Sequence, residues 1–172
     1  MQDLIKQLSN SSKDEYKSIF ENLQLNKKVF EEYESWSQKK YTRNCIFNDE
    51  HFELILLCWE EGQETSIHCH GGEECWVYLL EGEMEEVLYH KDEDVTENGK
   101  CQLQKFQSSY INDSIGLHKL KNSFKGRTIS LHLYAKPIKK CTFYDEENSI
   151  FVSRNLKYDT IKETVQFAVN SF

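Results

Sequence analysis

Apolar residues recur at helical spacing near the start of the chain and at every second position through its middle. Ser12 and Glu15 stand at capping-box spacing, and Tyr16, Ile19, Phe20 and Leu23 follow at i, i+3, i+4 and i+7, which predicts a helix. Asn26 is placed to cap a second helix carrying Val29, Tyr33 and Trp36 on one face. Both are short, so each needs a surface to dock on. From Tyr41 the period changes to two. The stretches HFELILLCW (51–59), CWVYLLEG (75–82), MEEVLYH (84–90), QLQKFQ (102–107) and TISLHLYA (128–135) predict strands separated by polar or glycine-bearing turns. HKDEDVTENGK (90–100) reads as a solvated hairpin tip. Many short strands at this spacing predict a mainly β sandwich or barrel, covered on one side by the helices. The tail RNLKYDTIKETVQFAVNSF (154–172) fits either a strand and a helix or a meander. The expected layout is a single domain: a helical segment over 1–40, a barrel core over 41–145 and a C-terminal extension over 146–172.

Composition narrows the class. A chain of 172 residues with ten Phe, nine Tyr and three Trp can fill one sizeable core. The formal charge of −8, without a basic cluster, argues against nucleic acid or an anionic membrane as partner. No apolar run approaches the ~18 residues of a membrane span, and the first residues lack the features of a signal peptide. The expectation is a cytoplasmic monomer that acts on small molecules. Its six cysteines (45, 58, 69, 75, 101 and 141) are scattered and would be kept reduced.

The candidate chemistry lies in two strand-like stretches and a third segment between them. In extended chain, residues two apart face one side, so His68 and His70 of IHCH point together, as do Ser130, His132 and Tyr134 of SLHLY. A third histidine, His118, stands in YINDSIGLH. Neutral imidazoles suit first-row transition metals, whereas a lone histidine is more often structural. His51 and His90 fall at strand starts or tips and read as surface residues.

These residues also carry a resemblance. Gly62, His68-x-His70 and Gly82 are similar to the first cupin motif, and His118 with Asn122 to the second. Where the general motif has an acid, this chain has Cys75. With YTRN (41–44), LCW (57–59), IHCH, YINDSIGLH and SLHLY, the stretch from about Tyr41 to Cys141 resembles the thiol dioxygenases of the cysteine dioxygenase type I family. The resemblance implies a cupin fold (a double-stranded β-helix, or jelly-roll, barrel) with the N-terminal helices packed on one side. It implies Fe(II) held by His68, His70 and His118, with L-cysteine and O2 as substrates and cysteine sulfinic acid as product, a step of cysteine catabolism toward compounds such as taurine. It further implies a thioether bond between Cys75 and Tyr134. A relay would run from Ser130 through His132 to the Tyr134 hydroxyl. Arg43 would hold the substrate carboxylate, with Tyr41 and Trp59 as pocket walls.

The family's missing acid has a chemical reading: three neutral ligands leave the metal's charge uncompensated, which favours an incoming thiolate. The family's x-Pro-Pro run after the tyrosine is Ala135-Lys136-Pro137 here, so a trans bond is expected between Ala135 and Lys136. Three other readings stay open on sequence alone. They are a 3-mercaptopropionate or other small-thiol dioxygenase, a metal-binding cupin without turnover, and a zinc or manganese isomerase.

Overall fold

The computed structural model describes residues 1–92 and 94–162. Two α-helices open the chain, α1 (Gln2–Ser9) and α2 (Lys13–Glu21), followed by a 3-10 helix over Lys27–Tyr33. The capping box is present: the Ser12 backbone N–H donates to Glu15 Oε2 at 2.7 Å. Helix α1 has no side-chain cap and only Leu4, Ile5 and Leu8 to bury, so its signal was too weak to predict. The segment after Asn26 is a 3-10 helix that stops before Trp36, not the expected α-helix. Asn26 Oδ1 does accept the Lys28 N–H at 3.0 Å.

Eleven strands follow among the described residues. They are β1 (Thr42–Asn48), β2 (Glu53–Trp59), β3 (Cys75–Glu81), β4 (Glu83–Lys91), β5 (Val95–Gln104) and β6 (Ser108–Ile111), then β7 (Leu117–Asn122), β8 (Thr128–Tyr134), β9 (Lys140–Asp145), β10 (Ile150–Asn155) and β11 (Thr160–Ile161). The expected hairpin tip at 90–100 is mostly strand: β4 and β5 stay paired out to Lys91 and Val95. Alternation fades there because both faces of that ribbon are exposed. The stretch after residue 145 adds β10 to β9 and β11, in parallel, to β1. Any helix in 163–172 lies outside the described residues.

Strands β11-β1-β2-β8-β3-β6 form one sheet, β5-β4-β7 a second and β10-β9 a third. Their side chains sort by strand parity into two cores. Leu54, Leu56, Cys58, Trp76, Tyr78, Leu131 and Leu133 face the helices with Leu8, Phe20 and Phe30. Ile55, Leu57, Trp59, Cys75, Val77 and Tyr134 face the other way, onto Met84, Leu120 and Phe143 of the smaller sheets. The large sheet is therefore covered on both sides, which is why HFELILLCW reads as almost continuously apolar. The inner space between the sheets is where polar side chains gather.

Gly82, one of the motif glycines, shows how tightly the sheets meet. It turns the chain from β3 into β4 at φ +85°, and a Cβ there would collide with the Thr128 side chain on β8. Gly82→Ala meets both a left-handed backbone and a clash. It is expected to lower the unfolding free energy by about 2–4 kcal/mol, read as a shift in the urea midpoint.

Candidate metal centre and substrate pocket

His68 does not sit on a regular strand. Its segment crosses between the small sheets as an isolated bridge, paired to His118 on one side and Phe143 on the other. The backbones of His68 and His118 exchange both hydrogen bonds, at 3.0 and 3.1 Å, so their side chains start directly opposite one another. His70 arrives two residues later, held by its backbone N–H on Asp113 Oδ1 at 2.6 Å, and Gly72 N–H binds the other Asp113 oxygen at 2.7 Å. The ligand atoms of His68, His70 and His118 all lie within 4.8 Å of one another. Among the described residues, no carboxylate belongs to that cluster.

The outer nitrogens of two of the rings are spoken for. His68 Nδ1 is 2.9 Å from the Ser66 carbonyl oxygen, and His118 Nδ1 is 2.6 Å from Glu86 Oε1. Both partners can only accept, so each Nδ1 carries the proton, and in the neutral rings each Nε2 presents a lone pair. Those two Nε2 atoms lie 3.2 Å apart. Both ring nitrogens of His70 are buried and make no hydrogen bond. Burial, then the neighbouring His118 ring, pushes His68 down to about 3 and holds His70 well below the usual histidine range. Opposed lone pairs and an orphaned buried imidazole fit a cation. Glu86, outside the histidine cluster, fixes the His118 tautomer; burial pushes its carboxyl up, but the hydrogen bond and charge of His118, with Ser109 and Cys101, together hold it below the usual range.

The remaining predicted residues surround this cluster. Cys75 and Tyr134 are direct partners in the β3–β8 register, and both are buried. Burial raises both groups well above their ordinary ranges, and each lies in the other's field. Ser130 Oγ is 2.8 Å from His132 Nε2 and accepts the Trp59 indole N–H at 2.9 Å. Trp59 thus anchors Ser130, stacked against Tyr41 with ring centroids 4.4 Å apart, and is itself fully buried. The expected last link of the relay is not a contact here. The His132 and Tyr134 rings stack with centroids 6.3 Å apart, and the Tyr134 hydroxyl lies beside Cys75 and Arg43. Arg43 is nearly buried, and its Nε and Nη2 make no hydrogen bond. Burial works against its charge, but Tyr134, Glu53 and Tyr41 outweigh it and hold the group above its ordinary value. The Ala135–Lys136 bond is trans, since the described residues contain no cis peptide. His51 and His90 are exposed and away from the cluster.

Three acids near the site were missed by sequence reasoning: Glu53, Glu86 and Asp113. Parity was the available signal for two of them. Glu53 shares a face with Ile55, Leu57 and Trp59, and Glu86 shares one with Met84, both rows that point inward.

The family model for cysteine dioxygenase type I matches residues 1–147. The chain belongs to the cysteine dioxygenase type I family. A zebrafish (Danio rerio) cysteine dioxygenase type 1 is 32% identical over 177 residues, covering 95% of this chain and 85% of that protein. The human (Homo sapiens) protein of the same name is 34% identical over 139 residues, covering 77% of this chain and 70% of its own length. The match begins forty residues before the motifs at Tyr41, so the N-terminal helices belong to this family's layout. Solved structures share the fold. A Klebsiella pneumoniae protein with a double-stranded β-helix domain has TM-score 0.50 at 18% identity, over 73% of this chain and 93% of that one. An RmlC-like cupin from Desulfovibrio desulfuricans has TM-score 0.50 at 19% identity, over 68% of this chain and 100% of that one. In this cysteine dioxygenase family member the sheets form a jelly-roll sandwich of the cupin kind. No helix among the described residues is long and apolar enough to cross a membrane.

Glu86→Ala removes the acceptor that orients His118. It is expected to weaken metal binding by about 10–100-fold, measured by chelator competition with the folded variant.

Proposed function

We propose that this chain oxidises L-cysteine with O2 to cysteine sulfinic acid at Fe(II) held by His68, His70 and His118. The observation that carries the reading is a three-imidazole cluster without a carboxylate, beside a buried arginine whose Nε and Nη2 make no hydrogen bond. A dioxygenase of this kind must accept an anionic sulfur, and a metal left at full charge by its protein ligands favours one. When bound, the ferrous ion supplies the positions at which substrate thiolate, substrate amine and dioxygen come together. Both oxygen atoms end on sulfur and the thiolate supplies all four electrons, so no external reductant is consumed.

The chain's own residues do the positioning. Arg43 offers a planar pair of donors to the α-carboxylate, which matches bidentate recognition. Carboxylate, amine and sulfur anchored together select one hand of the amino acid and hold sulfur for attack. Tyr134 directs its hydroxyl toward the same space from the strand end next to Arg43. Trp59 and Ser130 fix the His132 ring, which supports the Tyr134 ring by stacking.

A thioether between Cys75 and Tyr134 would form during turnover, a reading that their pairing in the β3–β8 register supports. The cysteine thiol and a tyrosine ring carbon each lose one hydrogen, and dioxygen accepts the two electrons and two protons. The bond would fix the phenol and remove a thiol from beside an oxidising centre. The 3-mercaptopropionate alternative lacks the amine but carries the same carboxylate; membership of the cysteine dioxygenase type I family, with Arg43 and Cys75 both present, favours the amino acid. A metal-binding module without turnover has no use for Arg43 donors left without hydrogen bonds, and an isomerase cupin would be expected to bring a fourth protein ligand.

Anaerobic loading with Fe(II), followed by oxygen uptake with L-cysteine, cysteamine and 3-mercaptopropionate, tests the reading. Uptake is expected with L-cysteine, one O2 per sulfinate formed; uptake with none of the three would favour the binding module. Arg43→Gln is expected to raise the KM for L-cysteine by about 10–100-fold, the worth of charge-assisted hydrogen bonds. Intact mass after turnover is expected to fall by about two hydrogens, and a Cys75→Ser chain should show no such loss.

A further inference from the structure

Glu53 is an acid at the head of an apolar strand, fully buried, and the chemistry above does not use it. Its Oε2 accepts the Ile138 backbone N–H at 3.0 Å. Its Oε1 makes no hydrogen bond and lies 3.5 Å from Arg43 Nη2. A buried carboxylate needs a counter-charge or a proton, and Arg43 supplies the charge. The converse holds for the guanidinium, whose side chain is 11% exposed. The pair is nevertheless loose. A bidentate Arg–carboxylate pair would consume the donor fork, whereas Nε and Nη2 remain without acceptors. On the β2–β8 register Glu53 is also the direct partner of Tyr134. The network continues outward: Tyr158 stands beside Glu53 and accepts from Asn48 Nδ2 at 3.3 Å. The Arg43 backbone is pinned by Asp159, whose Oδ2 accepts the Arg43 N–H at 2.9 Å. Ile138 and Tyr158 line a pocket of about 640 Å³, so the carboxylate joins the Arg43 site to that pocket's wall.

We propose that Glu53 is the positioning residue of the substrate clamp: fastened by the Ile138 N–H, it aims the Arg43 guanidinium between turnovers and leaves Nε and Nη2 for a carboxylate. The inference rests on Arg43 being that clamp. It deepens the specificity assignment, because Glu53 then matters for thiols that carry a carboxylate and is irrelevant to those that do not. Without the anion, an empty site leaves a buried guanidinium unbalanced. The side chain turns away, and substrate has to draw it back.

Glu53→Gln keeps the shape and an acceptor for Ile138 but removes the charge. Its KM for L-cysteine is expected to rise about tenfold, the worth of one charge-assisted contact, with kcat at saturation little changed. The KM for cysteamine, which has no carboxylate, stays at the wild-type value. In an Arg43→Gln background the same substitution adds nothing, because Glu53 acts only through Arg43. That double variant also leaves neither buried charge of the Arg43–Glu53 pair alone, so it decides the matter should Glu53→Gln alone fail to fold. A readout without turnover is the Arg43 Nε–H resonance in the whole chain loaded with zinc: present in the wild type, broadened away in Glu53→Gln. The proposal is overturned by an unchanged L-cysteine KM, by an equal rise for cysteamine, by a further loss in the double variant, or by an unmoved arginine resonance. An Arg43→Gln chain with wild-type KM for L-cysteine would instead remove the clamp itself. A raised KM there, with none in Glu53→Gln, would keep the clamp and discard only the part given to Glu53.

Discussion

The Nε2 atoms of His68 and His118 face each other across 3.2 Å while the far nitrogen of each ring is already donating. In neutral rings that is two lone pairs aimed at one point, an arrangement that a shared cation turns from repulsion into attraction. Much of the local architecture serves it. The backbone bridge between His68 and His118 sets the two rings opposite one another. Asp113 holds the next turn so that His70 enters the same space. Burial then keeps His68, His70 and His132 uncharged, which is the state in which imidazole can ligate a metal. A fold that left these rings in water would leave them free to take up protons instead.

The acids near the centre are as informative as the histidines. Glu86 is engaged by His118, Asp113 by the backbone N–H groups of His70 and Gly72, and Glu53 by Ile138 and Arg43. Each carboxylate within reach is bound elsewhere, so none completes the ligand cluster. Cys75 stands where other cupins carry an acid, and it turns toward Tyr134 instead. Negative charge is therefore abundant around the site and withheld from its centre. That distribution leaves room at the centre for an anionic ligand from solution.

Legibility in the sequence followed the strength of periodic signals. The stretches that form β2, β3, β4, the end of β5 and β8 are readable because β-rich, largely apolar runs bounded by turns mark core strands, those of the large sheet being buried on both faces. The outer end of the β4–β5 ribbon, 90–100, reads as a loop because both of its faces are exposed there, and α1 is invisible because three apolar residues and no cap give little periodicity. The histidines were legible as a set through their motifs, but not their geometry. His68 and His70 were expected to converge by strand parity, whereas they do so on an irregular bridge. The relay was legible in its first link and not in its last: Ser130 meets His132 as expected, while Trp59 also binds Ser130 and the Tyr134 hydroxyl faces Cys75 and Arg43. Contacts between residues some 70 to 120 positions apart, such as Trp59 with Ser130 and Arg43 with Asp159, have no local trace. They follow from strand order, which the chain reveals only when folded.

Strand register is what converts this fold into a site. Across β3, β8 and β2 the residues fall in rows: Cys75, Tyr134 and Glu53, then Val77, His132 and Ile55, then Leu79, Ser130 and Leu57. Every member of these rows points into the space between the sheets, and every intervening residue points at the helices. A slip of one residue in β8 would carry Ser130, His132 and Tyr134 into the apolar layer and bring Ile129, Leu131 and Leu133 to the metal side. Each buried polar group would then lose its partner. The apolar packing of the helices against Leu131 and Leu133 therefore does more than stabilise the sheet. It forbids the one misalignment that would keep the fold and destroy the chemistry, so the N-terminal helices contribute to the centre without touching it.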